Sequence, residues 1–174
     1  ARVQYPFVKS LHRWNRKGFF GAFEVVAIDR FDASITAKTF GRNPRIVYFP
    51  VDLDGFKVEQ PTPSKVTLIN PRNGHNGFDT FLKIADQLPN QEFQIAGTLY
   101  DKSLTSKVED RKDVTHLGWC DDMREVYATT KILTIPSMYQ EGGNRIIAEA
   151  FANGIPVIGS DLGGIPDYVG DGGM

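Results

Sequence analysis

From Lys65 onward the chain repeats one pattern: a short apolar run, a turn, often with glycine, and then a stretch whose apolar residues recur every three or four positions. A strand can reach a parallel neighbour only through a long crossover, and an amphipathic helix is the crossover that packs back on the sheet. Strands are expected at residues 66–70, 93–96, 114–117, 131–135 and 155–158. Between them, Phe78, Phe81, Leu82, Ala85 and Leu88 share one helix face that ends at Pro89 and Asn90. Asp121 and Asp122 can cap a helix through Val126 and Tyr127, and residues 145–152 and 165–169 complete the helical set. The predicted fold class is α/β: a Rossmann-like parallel sheet with helices on both faces.

Upstream, only two strands (24–28 and 45–49) and a helix (32–40, stopped by Gly41) precede Pro50, along with an N-terminal helix from Pro6 through Trp14. This is too little for a doubly wound domain and reads as the end of one. Residues 51–64, with Asp52, Asp54, Gly55, Pro61 and Pro63, lack periodicity and read as a linker. The expected division is therefore 1–50, the incomplete end of an N-terminal domain; 51–64, a linker; and 65–174, a second domain cut short at its C-terminus. The first twenty residues mix basic and aromatic side chains, which suits a helix packed on a neighbouring domain, or one that lies on a membrane surface or reads nucleic acid.

Twenty Lys and Arg against 21 Asp and Glu give a net charge of -1, so no broad positive field invites nucleic acid, and any phosphate site must be local. Cys120 is the single cysteine, which fits a reducing, cytoplasmic setting. His12, His75 and His116 lack ligand spacing, and no metal site is expected. No apolar run is long enough to span a bilayer.

Glycines stand at three strand ends: in 73–77, at Gly97, and at Gly142 with Gly143. The carboxyl ends of parallel strands share one edge, where glycine lets the backbone approach a diphosphate and the helix starting near Asn144 offers unpaired amides. Such turns alone can equally be ordinary tight turns. Glu141 and Glu149, with seven residues between them, add chemistry. Glu149 can accept both hydroxyls of a ribose, or it can pair with Arg145 one helical turn earlier on an exposed face. Glu141 can orient sugar hydroxyls or stabilise developing positive charge, or be a solvated loop acid. Arg72 and Arg145 are the cations best placed to meet a leaving diphosphate, or are surface arginines.

The segment PSMYQEGGNRIIAEAFANGIPVIGSDLGGIPDYVGDGG resembles the donor-binding signature of family-four retaining glycosyltransferases with the GT-B fold, paired glutamates included. VTHLGWCDDMREVYATTKILTIPS, INPRNGHNGFDTFLKIADQLPNQEFQIAG and RIVYFPVDLDGF resemble the same family's preceding segments, so the likeness runs from about Glu24 to Gly173. It implies that Glu149 holds the ribose and that Glu141 lies by the donor sugar. The amides of Gly142, Gly143, Asn144, Arg145, Ile146 and Ile147, with Asn76 and Gly77, would contact sugar and diphosphate. Glu141 and Arg72 would be catalytic, and neither a metal nor another cofactor would be needed. The chain departs from the family in carrying Asn76 where a lysine is usual, and Gly143 and Asn144 where an aromatic and a glycine are familiar.

The expected function is transfer of a sugar from a nucleotide-diphosphate donor, with retention of configuration, to a glycan, lipid or small-molecule acceptor that the sequence does not identify. The alternatives are a nucleotide-sugar epimerase of GT-B-like fold and a non-catalytic nucleotide-sugar-binding or assembly fragment. Apolar surface left by absent segments could drive self-association.

Overall fold

A computed structural model describes residues 18, 20–71 and 74–174; the expected N-terminal helix and Arg72 lie outside the described residues. Strands Val26–Ala27 (β1) and Arg45–Ile46 (β2) pair in parallel and are joined by helix Arg30–Phe40 (α1). Asp29 caps α1, accepting the Asp32 amide at 2.6 Å, and Gly41 closes it in the left-handed conformation at φ 66°. A single turn, Leu53–Phe56 (α2), follows. The remainder runs Lys65–Ile69 (β3), Phe78–Gln87 (α3), Phe93–Ala96 (β4), Lys102–Thr105 (α4), Val114–Gly118 (β5), Met123–Thr129 (α5), Thr130–Ile135 (β6), Arg145–Ala152 (α6), Val157–Gly159 (β7) and Ile165–Val169 (α7).

Strands β3 to β7 form a five-stranded sheet in the order β5-β4-β3-β6-β7, parallel throughout. Alternation along the strands sends side chains to two cores. Val66, Leu68, Phe93 and Ile95 meet Phe78, Phe81 and Leu82 of α3 on one face, with the Phe81 and Phe93 rings edge to face at 5.4 Å. Ile69, Leu133, Ile135 and Val157 meet Val126, Tyr127, Ile147, Ala150 and Ile165 on the other. Among the described residues, no helix is long and apolar enough to cross a membrane.

One patch inside the second layer is polar. Gln94 donates from Nε2 to Thr67 Oγ1 at 3.0 Å and to the Val126 carbonyl at 3.2 Å, while its Oε1 accepts from Thr129 at 3.1 Å. Thr67 and Thr130 hydroxyls lie 2.8 Å apart. Gln94, Thr67 and Thr130 are almost wholly buried and partnered, as a buried polar group must be to avoid its desolvation cost.

Three local departures from the sequence pattern have physical causes. Residues 51–64 pack against the five-stranded sheet's helical layer: Phe56 and Val58 reach the second core, and Asn153 of the α6 cap accepts the Val58 amide at 2.8 Å and donates to the Phe56 carbonyl at 3.0 Å. Helix α4 escaped the periodicity because a single turn, capped by Asp101 on the Ser103 amide at 2.8 Å, is too short to show any. Strand β7 begins two residues later than expected, because Ile155 turns into the core and pairing with β6 starts at Val157.

Gly77 and Gly154 separate two costs. Both sit at positive φ, +82° and +66°, but a Cβ on Gly154 would meet open space whereas one on Gly77 would overlap the Pro136 carbonyl. Gly154→Ala is expected to lower the urea unfolding free energy by about 1–2 kcal/mol through backbone conformation alone. Gly77→Ala should cost about 1–3 kcal/mol more from overpacking, and equal losses would contradict the close approach of these turns.

Candidate functional site

Because β4 and β5 lie to one side of β3 and β6 and β7 to the other, the winding reverses between β3 and β6, and a crevice opens beyond their carboxyl ends. It has two lobes. The larger, about 660 Å³, is bounded by Phe49, Pro50, Asn76, Tyr139, Glu141 and the start of α6. The smaller, about 290 Å³, is bounded by Gly97, Trp119, Cys120, Asp121, Met123 and Glu149. Ile69, Asn70, Arg145 and Ile146 line both.

Asn70 forms the saddle between the lobes in a left-handed conformation, φ 53°, with its amide bonded to the Ala96 carbonyl at 2.7 Å. A Cβ on the neighbouring Gly97 would crowd its side-chain oxygen, so the two residues fit as a pair. Sequence reasoning passed over Asn70; its signal was an asparagine at a strand end, a residue that tolerates this backbone where β-branched residues do not.

Glu149, on α6, is 3% exposed, and Tyr127 of α5 donates its hydroxyl to Glu149 Oε2 at 2.6 Å. The sequence allowed an exposed pairing of Glu149 with Arg145; instead the fold buries the carboxylate at the floor of the smaller lobe and hands it a phenol. Burial and the adjacent carboxylate push the Tyr127 hydroxyl well above the usual phenol range, so it remains a donor. Cys120 lines the same lobe, and burial together with Glu125 raises its thiol, which favours the uncharged form.

Glu141 occupies the other lobe, half-buried, and is held at both oxygens. Ser137 donates to Oε1 at 2.5 Å and Tyr139 to Oε2 at 3.2 Å, while Asn76 donates to the Tyr139 hydroxyl at 3.3 Å. Asn76 thus belongs to a hydrogen-bond chain that ends on a carboxylate. Neither Ser137 nor Tyr139 was singled out from sequence, since two hydroxyls in a loop carry no period.

Arg145, exposed at the start of α6, forms no salt bridge among the described residues and faces both lobes. Asn144 caps the helix, accepting the Ile146 amide on its side chain at 3.3 Å and the Ile147 amide on its carbonyl at 3.2 Å. Gly143 and Asn144 line the larger lobe. Ile147 is fully buried in the core, and Gly77 supports the crevice from behind Pro136; neither lines a lobe. Gly142 lies next to the Asp29 and Asp32 carboxyl groups beneath the loop.

Residues 67–174, more than half of the chain, match the sequence profile of the family described as Glycosyl transferases group 1. A curated relative, an uncharacterized 41.2 kDa protein in the cps region of Klebsiella pneumoniae, is 22% identical over an alignment 195 positions long, covering 97% of this chain and 53% of the relative. Anabaena HepE, solved in complex with UDP and glucose, superposes with a TM-score of 0.77 at 19% identity, over 88% of this chain and 49% of HepE. A glycosyltransferase from Rickettsia africae superposes with a TM-score of 0.77 at 14% identity, over 98% of this chain and 52% of that protein. The two solved structures share the fold, and the chain spans about half the length of each of these relatives.

Removing the Tyr127 hydroxyl would strand a buried carboxylate oxygen. Tyr127→Phe is expected to destabilise the protein by on the order of 1–3 kcal/mol, read as a lower thermal midpoint, whereas Tyr100→Phe, at an exposed position, should stay within about 0.5 kcal/mol. With a parallel sheet wound about a crevice at β3 and β6, and a profile match across that sheet, the chain belongs to the Glycosyl transferases group 1 family.

Proposed function

We propose that the chain is the donor-binding part of a glycosyltransferase that moves a sugar from a nucleoside-diphosphate donor to an acceptor with retention of configuration. The observation that carries this reading is the placement of two held carboxylates in the two lobes of one crevice, with a helix start and Arg145 between them. Glu149, in the smaller lobe, takes the ribose hydroxyls, and the nucleobase lies toward Trp119 and Gly97. The diphosphate sits over the first turn of α6, where the helix dipole favours an anion and Arg145 offsets leaving-group charge without a metal. The sugar enters the larger lobe beside Glu141.

Uridine is the proposed base, supported by the likeness to HepE, whose solved complexes contain UDP, glucose and UDP-glucose. Retention and the family-four assignment rest on the resemblance of the signature around Glu141 and Glu149. Residues 1–50 are proposed as the end of an acceptor-side domain, 51–64 as the linker and 65–174 as the donor domain. The acceptor would approach across Phe49 and Tyr139 at the mouth of the larger lobe.

Calorimetry with UDP and UDP-glucose tests the assignment. Glu149→Ala, folded by circular dichroism, should weaken UDP by on the order of 1–3 kcal/mol; an unchanged affinity removes the ribose role. Glu141→Gln should leave UDP affinity intact and reduce only the extra affinity of UDP-glucose over UDP. Conversion of labelled UDP-glucose without an acceptor would favour an epimerase. Failure of any nucleotide or nucleotide sugar to raise the melting temperature would favour a non-catalytic module.

A further inference from the structure

Asp167 and Tyr168, adjacent on α7, grip the β1-α1-β2 unit from the side of the five-stranded sheet. Asp167 accepts the Arg30 amide at 2.9 Å and the Tyr48 hydroxyl at 3.1 Å, and its other oxygen pairs with Arg30 Nε at 3.3 Å. Tyr168 donates its hydroxyl to the Ile28 carbonyl at 2.8 Å, and the Phe49 amide points to the same oxygen at 3.5 Å. Its ring meets Tyr48 edge to face at 5.4 Å. The same hydroxyl and ring edge occupy the space beside Gly143, so that any Cβ on Gly143 would overlap them.

Gly143 and Phe49 both line the larger lobe, and the Tyr168 hydroxyl lies against each of them. The space a side chain at position 143 would need is filled by a residue that comes 25 positions later. Phe49 and Pro50 have few other ties: Phe49 is exposed, and β2 pairs over only two residues with β1. Burial pushes the Tyr168 hydroxyl above the usual phenol range, so it stays protonated and able to donate to Ile28.

We infer that Tyr168 is a positioning residue: it pins the Phe49 and Pro50 wall against the Gly143 loop and so fixes the rim of the lobe that takes the donor sugar. The glycine at 143 is the condition for this arrangement, because a side chain there would displace the tyrosine. The role of the lobe rests on the donor-site reading above; the pin itself does not. Tyr168 acts through the wall and makes no contact with the nucleoside end, so its loss acts on the sugar increment of binding and spares the nucleotide.

The test uses the whole chain carrying Tyr168→Phe, which keeps the ring and removes the hydroxyl, beside Gly143→Ala, which keeps the hydroxyl and displaces the ring. Hydrogen exchange of the Phe49 amide should accelerate in both variants while amides of β3 and β4 stay protected. In Tyr168→Phe the affinity ratio of UDP-glucose to UDP should fall by about two- to tenfold, the loss of one net hydrogen bond, with UDP affinity itself unchanged in that variant. Unaltered exchange at Phe49 in folded variants would overturn the pin. Faster exchange with an unaltered ratio would reduce Tyr168 to a structural contact and overturn its positioning role. If the unmodified chain binds neither UDP nor UDP-glucose, the donor-site reading falls and the positioning role with it, whereas the exchange result still reports on the pin alone.

Discussion

The parallel pairing of β3 with β6 is the constraint on which the rest depends. It joins the first strand of the sheet to the fourth, so the chain must lay down β4 and β5 on one side, cross back, and continue on the other. That reversal splits the connections at the carboxyl edge and leaves a crevice there instead of a packed loop. The buried polar patch of Thr67, Gln94 and Thr130 lies on β3, β4 and β6 and fastens these strands to α5, whose Val126 carbonyl it engages. Apolar residues alone would bury the same surface, but partnered polar groups admit fewer alternative arrangements.

From that pairing the site follows by position. Helix α5 brings Tyr127 and α6 brings Glu149 to the floor of the smaller lobe, and the two side chains meet at 2.6 Å across 22 residues of sequence. A carboxylate held this way loses rotamer freedom before any ligand arrives, which lowers the ordering cost of binding. At the other lobe the same result is reached differently: Glu141 sits on a loop, and Ser137, Tyr139 and Asn76 supply the restraint that a helix gives Glu149. Cationic compensation is concentrated on Arg145 among the described residues lining the crevice.

Much of the scaffold was legible in sequence. The strands at 66–70, 93–96 and 131–135 and helices α3 and α6 announced themselves, because apolar spacing and glycine stops act locally. Glycine also marked Gly77 and Gly97, which combine a positive φ with a close approach to Pro136 and Asn70 that leaves no room for a Cβ. The one-turn helix α4 and the packing of 51–64 were not legible, since a single turn has no period and Asn153 ties that segment from 95 residues away.

By itself, the sequence determined the α/β class, the carboxyl-edge glycines, the two glutamates and the family likeness, because each is a local pattern or a motif with fixed spacing. Tertiary structure alone decided which lobe each glutamate faces, and that Glu149 turns inward to Tyr127 in place of pairing outward with Arg145. It also decided that Asn76 joins a chain ending on Glu141, and that Tyr168 fills the place beside Gly143. These are contacts between residues far apart in sequence, and they exist only once the β3 and β6 pairing has brought the loops to one edge.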